Sequence, residues 1–247
     1  MEAVPLPLAG IRVVDLSRVL AGPYCGLLLS MLGANVIKVE DKGGDESRTW
    51  PPMVGDSGAT YNAININKRS IVIDLKTEEG QGIVRDLVKN ADVLIENFKT
   101  GTMERFFLDW KTLKAINPRL VYASITAFGS KGPRAAYPGY EALMQAYNGV
   151  MSMTGEPEGQ PVRCGVSYHD MSTGITTALA VVTSLFRREH TGQGCKVDAS
   201  LLQTSLGLMA IQVTNFFQGG QIPKRLGSAH PMVVPLCLRG YLLLLRR

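Results

Sequence analysis

The sequence lacks the paired cysteines of a metal site or a disulfide framework. Its four cysteines (Cys25, Cys164, Cys195, Cys237) form no C-x-x-C pair, and His169, His190 and His230 are not spaced to complete a metal centre. The expectation is no metal and a reducing compartment. No apolar run reaches the roughly 20 residues a membrane span needs, and the stretch from Val233 to Leu245 is interrupted by Pro235, Arg239 and Gly240. Met1 to Pro5 has neither the basic and apolar regions of a secretory signal nor the character of an Arg-rich presequence. No membrane partner is expected, and a cytoplasmic setting is, with a mitochondrial one left open. Charged residues are scarce at 19%, while 45% of the chain is apolar, which excludes the disordered class. The net charge of +5 suits an anionic ligand. The basic residues are scattered, however, with no aromatic-interleaved stripe, so a nucleic-acid partner is not expected.

Several nucleotide and hydrolase signatures are also missing. The first strand–helix turn, Ser17 to Pro23, is not G-x-G-x-x-G. Neither G-x-x-x-x-G-K-[ST] nor G-x-S-x-G occurs.

What is present is an alternation of strands and helices over 247 residues, enough for one large domain. Ile11 to Leu16 reads as a strand, Gly22-Pro23 opens a helix that Gly33 closes, and Asn35 to Glu40 is a second strand. The pattern recurs with strands at Ser70 to Leu75, Asp92 to Glu96, Arg119 to Ile125 and Cys195 to Asp198. Helices are expected over Thr77 to Asn90, from Tyr140, from Asp170 and over Leu201 to Phe217. Such βαβ repetition predicts an α/β fold: an open, Rossmann-like, mostly parallel sheet with helices on both faces. Segments 41–69 and 127–139 read as long irregular stretches, which are often functional.

Asp170 stands where a polar turn, Gly165 to His169, meets the apolar helix pattern of Ile175 to Phe186. From local sequence it reads as an N-cap, since Asp accepts backbone N–H bonds there and sits in the positive end of the helix field. His169 beside it reads as a lone surface histidine rather than an acid–base partner, because adjacent side chains on an extended turn point apart.

Taken together, four blocks carry a likeness. They are Leu8 to Pro23 continuing into Gly33 to Glu40; Asn67 to Ile71 with Asp74-Leu75-Lys76; Asp92 to Phe98; and Tyr140-Glu141, Thr154-Gly155 and Asp170 to Gly174. In this order they resemble the class III coenzyme A transferases, the CaiB/BaiF or formyl-CoA transferase family, from about Leu8 to Pro235. The resemblance implies that Asp170 is a nucleophile. A free Asp has a pKa of about 3.9 and needs no general base at neutral pH. It implies transfer of CoA between an acyl-CoA and a small carboxylic acid through an aspartyl mixed anhydride and an enzyme thioester. CoA or acyl-CoA enters as substrate, with no permanently bound cofactor. It further implies that Leu20 and Ala21 line the CoA site, that Ile73, Asp74, Leu75, Lys76, Asn97 and Phe98 contact its adenine and pantetheine parts, and that Arg105 lies near its phosphates. For Phe98 a plain core role stays open, for Arg105 a solvated helix charge, and for Lys76 a position facing water. Many relatives carry Arg or Pro after the second strand; here Asp41-Lys42 follows, and Lys42 is the expected substitute cation. Tyr140, Ser167 and Tyr168 are expected at the acyl end, from their nearness to Asp170.

Two further readings remain open: an acyl-CoA racemase or epimerase of the same superfamily, and an inactive CoA-binding remnant. Racemase relatives carry His where this chain has Tyr140, whose free pKa of about 10 makes it a poor base, so the transferase is preferred. Among its substrates, a succinyl-CoA-linked dicarboxylate is preferred. The family forms interlocked homodimers. The domain expectation is a large domain over 8–225 and, over 226–247, the start of a linker toward a smaller domain. Leu236 to Arg247 reads as a truncated or out-of-frame tail.

Overall fold

The computed structural model describes residues 4–229. The tail expected over 236–247, with Cys237 and His230, lies outside the described residues. Two compact units divide the described residues: 4–139 with 169–204, and 140–168 with 205–229.

The first unit holds strands β1 (Arg12–Asp15), β2 (Asn35–Glu40), β3 (Met53–Val54), β4 (Ser57–Gly58), β5 (Arg69–Val72), β6 (Val93–Glu96), β7 (Val121–Thr126) and β8 (Cys195–Ser200). Helices α1 (Ala21–Met31), α2 (Ala59–Ile64), α3 (Glu78–Lys89), α4 (Thr102–Arg105) and α5 (Trp110–Ile116) lie in it too. Six strands form one sheet in the order β5-β2-β1-β6-β7-β8, and every pairing is parallel. Parallel neighbours require crossovers, and the helices supply them. Alternate residues of the strands face opposite layers. Val14, Leu94 and Tyr122 join a core with Val84 and Val88 of α3 and Leu113 of α5. Asp15, one residue after Val14, faces α1 on the other side, where Gly26 lies over it. The helices therefore cover both faces, as the alternation implies.

Local sequence explains the helix starts on the α3 face. Thr77 caps α3, its hydroxyl accepting from the Gly80 N–H at 3.0 Å, with Glu78 and Glu79 in the first turn. Asp109 caps α5 by accepting from the N–H groups of Lys111 and Thr112.

Three expectations change. Segment 41–69 is ordered rather than irregular: it contains a 3₁₀ turn (Glu46–Thr49), the β3–β4 hairpin and α2. The turn forms because Asp45 caps it through the Ser47 N–H, a tertiary-supported contact that composition does not reveal. The helix expected over Leu201 to Phe217 is interrupted at Met209, giving α9 (Leu201–Leu208) and α10 (Ala210–Gly219); Gly207, a poor helix former, precedes the break. The helix expected to start at Asp170 is α8 (Tyr168–Thr191), which begins two residues earlier.

The second unit contains α6 (Glu141–Tyr147), α7 (Val150–Met153) and α10. Gln145 organises part of it: its amide donates to Glu141 Oε1 at 2.7 Å, and its oxygen accepts from the Cys164 N–H at 2.8 Å. Gly227 N–H donates to the Gly155 carbonyl at 2.9 Å.

Gly26 has no room for a side chain, because a Cβ there would lie 2.7 Å from Asp15 Oδ2 and 3.1 Å from Lys68 Nζ. Gly26→Ala is expected to destabilise by about 2–3 kcal/mol by forcing this buried pair apart. Gly207→Ala, where nothing lies within 4 Å of the added carbon, should be neutral or stabilising by up to about 1 kcal/mol. Urea denaturation of the two variants checks the contrast.

Candidate active site

The strand order places a topological switch point between β1 and β6, since the chain winds outward from β1 on one side and from β6 on the other. Crevices at the carboxyl ends of such strands are where open α/β sheets bind ligands. The loop 16–20 leaves β1 here, and Asn97-Phe98 leaves β6. The two ends are tied together. The Asn97 side-chain oxygen accepts from the Arg18 N–H at 2.8 Å, and its amide donates to the Arg18 carbonyl at 2.7 Å. The Arg18 guanidinium lies over the Phe98 ring at 4.9 Å, and Phe98 meets Phe106 edge-on at 6.2 Å. Phe98 is half-buried against the core and also lines the cleft that Glu96, Tyr122 and Ser124 border. No side chain caps the start of α1 at Leu20, which leaves its opening turn available to an acceptor.

Asp170 lies in the first turn of α8 and is 9% exposed. It is inside the helix rather than at its cap, because the helix extends back through His169 and Tyr168. The positive end of the helix field still favours a carboxylate there. His169 is 0% exposed, so the expectation of a surface histidine is wrong; the earlier helix start turns that side chain inward. Residues 170 and 174 share a helix face. A Cβ on Gly174 would lie 2.8 Å from the Ala21 carbonyl oxygen and 3.0 Å from Tyr24 Cδ1. The glycine thus lets α8 close onto the start of α1, and Asp170 lies about one turn, ~6 Å, before that contact along the helix. Leu20, Ala21 and the helix turn carrying Asp170 converge, although about 150 residues of chain separate them.

The other residues expected at the CoA site have the following local surroundings. Lys42 Nζ approaches Asp74 Oδ2 at 3.8 Å, a mostly solvated pair. Asp74 Oδ1 accepts from the Lys76 N–H at 3.0 Å, forming the turn that precedes α3. Lys76 is exposed, Leu75 packs partly against the core, and Ile73 is buried within it. Arg105 is exposed at the end of α4 and donates to Thr102 Oγ1 at 3.2 Å. Tyr140, Ser167 and Tyr168 belong to the second unit. Tyr140 is 66% exposed at the start of α6, and burial pushes the Tyr168 phenol up to about 12.

Sequence reasoning missed a set of buried charges beneath the loop 16–20. Lys38 Nζ pairs with Asp45 Oδ2 at 2.9 Å and donates to the Ser17 carbonyl at 2.8 Å. Lys68 Nζ pairs with Asp15 Oδ2 at 2.9 Å and donates to the Pro23 carbonyl and Asn65 Oδ1. Burial alone would raise the Asp15 carboxyl, but Lys68 and Lys38 together hold it below the ordinary range. Glu40 is subject to the same opposition: burial raises it, while Arg48 at 2.6 Å, Ser70, the Asp45 N–H and Tyr61 bring it to about 2. The available signal was a charge at an inward position of an apolar strand, Lys38 between Ile37 and Val39 and Asp15 after Val13-Val14.

On the opposite face, at the carboxyl ends of β6 and β7, Glu96, Tyr122, Ser124, Trp110 and Lys196 line a cleft of about 350 Å³. Glu96 is 4% exposed, and burial raises its carboxyl to about 7 despite the Ser124 hydroxyl and the Phe98 N–H.

Comparison with known proteins supplies the context. The model of CoA-transferase family III matches residues 8–239. A succinate–glutarate CoA-transferase of Agrobacterium fabrum is 47% identical over 237 residues, covering 93% of this chain and 59% of that protein. The human succinyl-CoA:glutarate CoA-transferase is 38% identical, with 93% and 53% covered. The crystal structure of a CAIB/BAIF family protein from Brucella suis superposes with a TM-score of 0.89 at 46% identity, covering 94% of this chain and 63% of that one. The chain belongs to CoA-transferase family III. It spans 59% of the length of the Agrobacterium relative. Among the described residues no helix is long and apolar enough to cross a membrane, and no group of His, Cys, Asp and Glu could hold a metal ion.

The Glu96 carboxyl gives a pH prediction. Its folded pKa of about 7 exceeds the ordinary 4.5, so its contribution is fully present below pH 4.5 and is lost as pH rises through 7. Glu96→Gln is therefore expected to match the parent near pH 4 and to exceed it by about 3 kcal/mol at pH 8. Chemical denaturation at the two pH values measures this.

Proposed function

We propose that this chain carries the chemistry of a CoA transferase, moving CoA between an acyl-CoA and a small carboxylic acid at Asp170. The observation that carries the reading is the position of that carboxylate. It is nine-tenths buried in the opening turn of α8, which Gly174 seats against the uncapped start of α1.

An Asp170 oxygen attacks the thioester carbonyl carbon. The C–S bond breaks, CoA leaves as thiolate, and a mixed anhydride remains. The thiolate then attacks the Asp170 carboxyl carbon of the anhydride, which releases the donor acid and leaves CoA as an aspartyl thioester. The acceptor carboxylate attacks that thioester, giving a new anhydride and free thiolate. Thiolate attack on the acceptor's acyl carbon yields the new acyl-CoA and regenerates Asp170. Each step stays at one oriented carboxylate, so the gain comes from proximity and from N–H donors at the helix starts.

In this reading Leu20, Ala21, Asn97 and Phe98 hold the pantetheine arm at the switch point. Lys42, Ile73, Asp74, Leu75, Lys76 and Arg105 serve the nucleotide end, and Tyr140, Ser167 and Tyr168 serve the acyl end. Residues 8–225 form the CoA-handling domain. The substrate class is dicarboxylic, in keeping with the glutarate transferases among its relatives. The proposal includes a homodimer in the cytoplasm.

The test is mass spectrometry after incubation with a panel of acyl-CoAs and trapping with hydroxylamine. The expected result is a hydroxamate on Asp170, absent from Asp170→Ala. CoA binding without any adduct would sink the transferase reading and leave a racemase or an inactive binder.

A further inference from the structure

We infer that the buried Lys38–Asp45 pair positions the left-handed Val19 turn of loop 17–19 for CoA, an inference that rests on the CoA-transfer reading. Val19 has φ +70°, a conformation in which a β-branched residue is a genuine outlier. Such a conformation persists only where its surroundings over-determine it.

The surroundings here are identifiable atom by atom. Lys38 Nζ donates to the Ser17 carbonyl at 2.8 Å. Asn97 grips both the N–H and the carbonyl of Arg18. Asp45 Oδ1 accepts from the Val19 N–H at 3.3 Å. Three successive residues are thus held through their backbones by side chains from β2, from the start of the 3₁₀ turn and from the end of β6. The next two residues, Leu20 and Ala21, open the uncapped α1 and adjoin the helix of Asp170.

Lys38 and Asp45 are 0% and 1% exposed. A pair buried that deeply returns little net stability, because desolvation offsets the attraction; a defined conformation is what it can supply. Asp45 also links the loop to β2, since its own N–H donates to Glu40 Oε2 at 2.9 Å. Asp45 and Lys38 are positioning residues: neither is assigned a contact with CoA, and they act through the shape of the loop.

The test measures binding of free CoA by titration calorimetry, alongside thermal stability. Asp45→Asn is expected to weaken CoA binding by more than about tenfold. Val19→Gly, which adopts φ +70° without strain, is expected to bind within about threefold of the parent. Combined with Asp45→Asn it should recover most of the lost affinity. A role confined to stability would not produce that rescue. Should Asp45→Asn fold poorly, Lys38→Met with Asp45→Leu replaces the pair by apolar groups of similar volume, which buried pairs often tolerate. It should remain folded, with a melting temperature lowered by the lost cap of the 3₁₀ turn, and lose the affinity. Parent-like CoA binding in a folded Asp45→Asn or Lys38→Met/Asp45→Leu protein overturns this inference alone. Absence of CoA binding in the parent overturns the CoA reading and this inference with it.

Discussion

The rest of the structure depends on four charges buried at the carboxyl ends of β1 and β2: Asp15 with Lys68, and Lys38 with Asp45. Their ion pairs join a strand end to a loop more than 50 residues away in one case, and the second strand to the 3₁₀ turn in the other. Hydrogen bonds from the same lysines reach Ser17 and Pro23, so the departure of the chain from β1 and the start of α1 are set by the same charges. Removing any one of them would strand its partner in the low-dielectric interior, which is where such losses cost most. The loop 16–20 is therefore built on charged side chains that are almost completely buried.

This arrangement explains why α1 contains glycine where an ordinary helix would not. Gly26 gives room to the Asp15–Lys68 pair on one side of α1, and Gly174 of α8 gives room to α1 on the other. Each lowers intrinsic helix propensity. In exchange, α1 packs closely on the end of β1 and on α8, the helix that carries Asp170. Catalysis at a single carboxylate needs this more than it needs additional reactive side chains. The proposed exchanges alternate between the acyl carbon of the substrate and the carboxyl carbon of Asp170, and rate comes from holding successive partners beside that one carboxylate.

The two faces of the sheet are chemically different. The α3–α5 face is an apolar core of valines, leucines and Tyr122, with one buried carboxyl, Glu96, at its edge. The α1 face carries the ion pairs. Period-two alternation in β1 and β2 produces this asymmetry directly: Val14 and Asp15, or Lys38 and Val39, lie one residue apart and face opposite layers.

The parallel sheet was legible in the sequence because short strand patterns alternate with helix patterns, some of which carry a local cap. Thr77 with Glu78 and Glu79 is such a local signal, and the structure places α3 there. The four sequence blocks likewise identified the family, which the match over 8–239 establishes. Local sequence failed where tertiary contacts decided the outcome. Asp170 had the chemistry of a cap, yet the helix begins before it; His169 had the polarity of a surface residue, yet it is buried. Segment 41–69 looked irregular because its order comes from Asp45, Glu40 and Arg48 meeting through space. The sequence by itself determined the succession of the six parallel strands along the chain and the presence of a carboxylate near the start of the long helix α8, since these depend on periodicity and composition. Only the tertiary structure decided which charges pair, how Val19 is held left-handed and what stands beside Asp170, because those depend on distances between residues far apart in the chain.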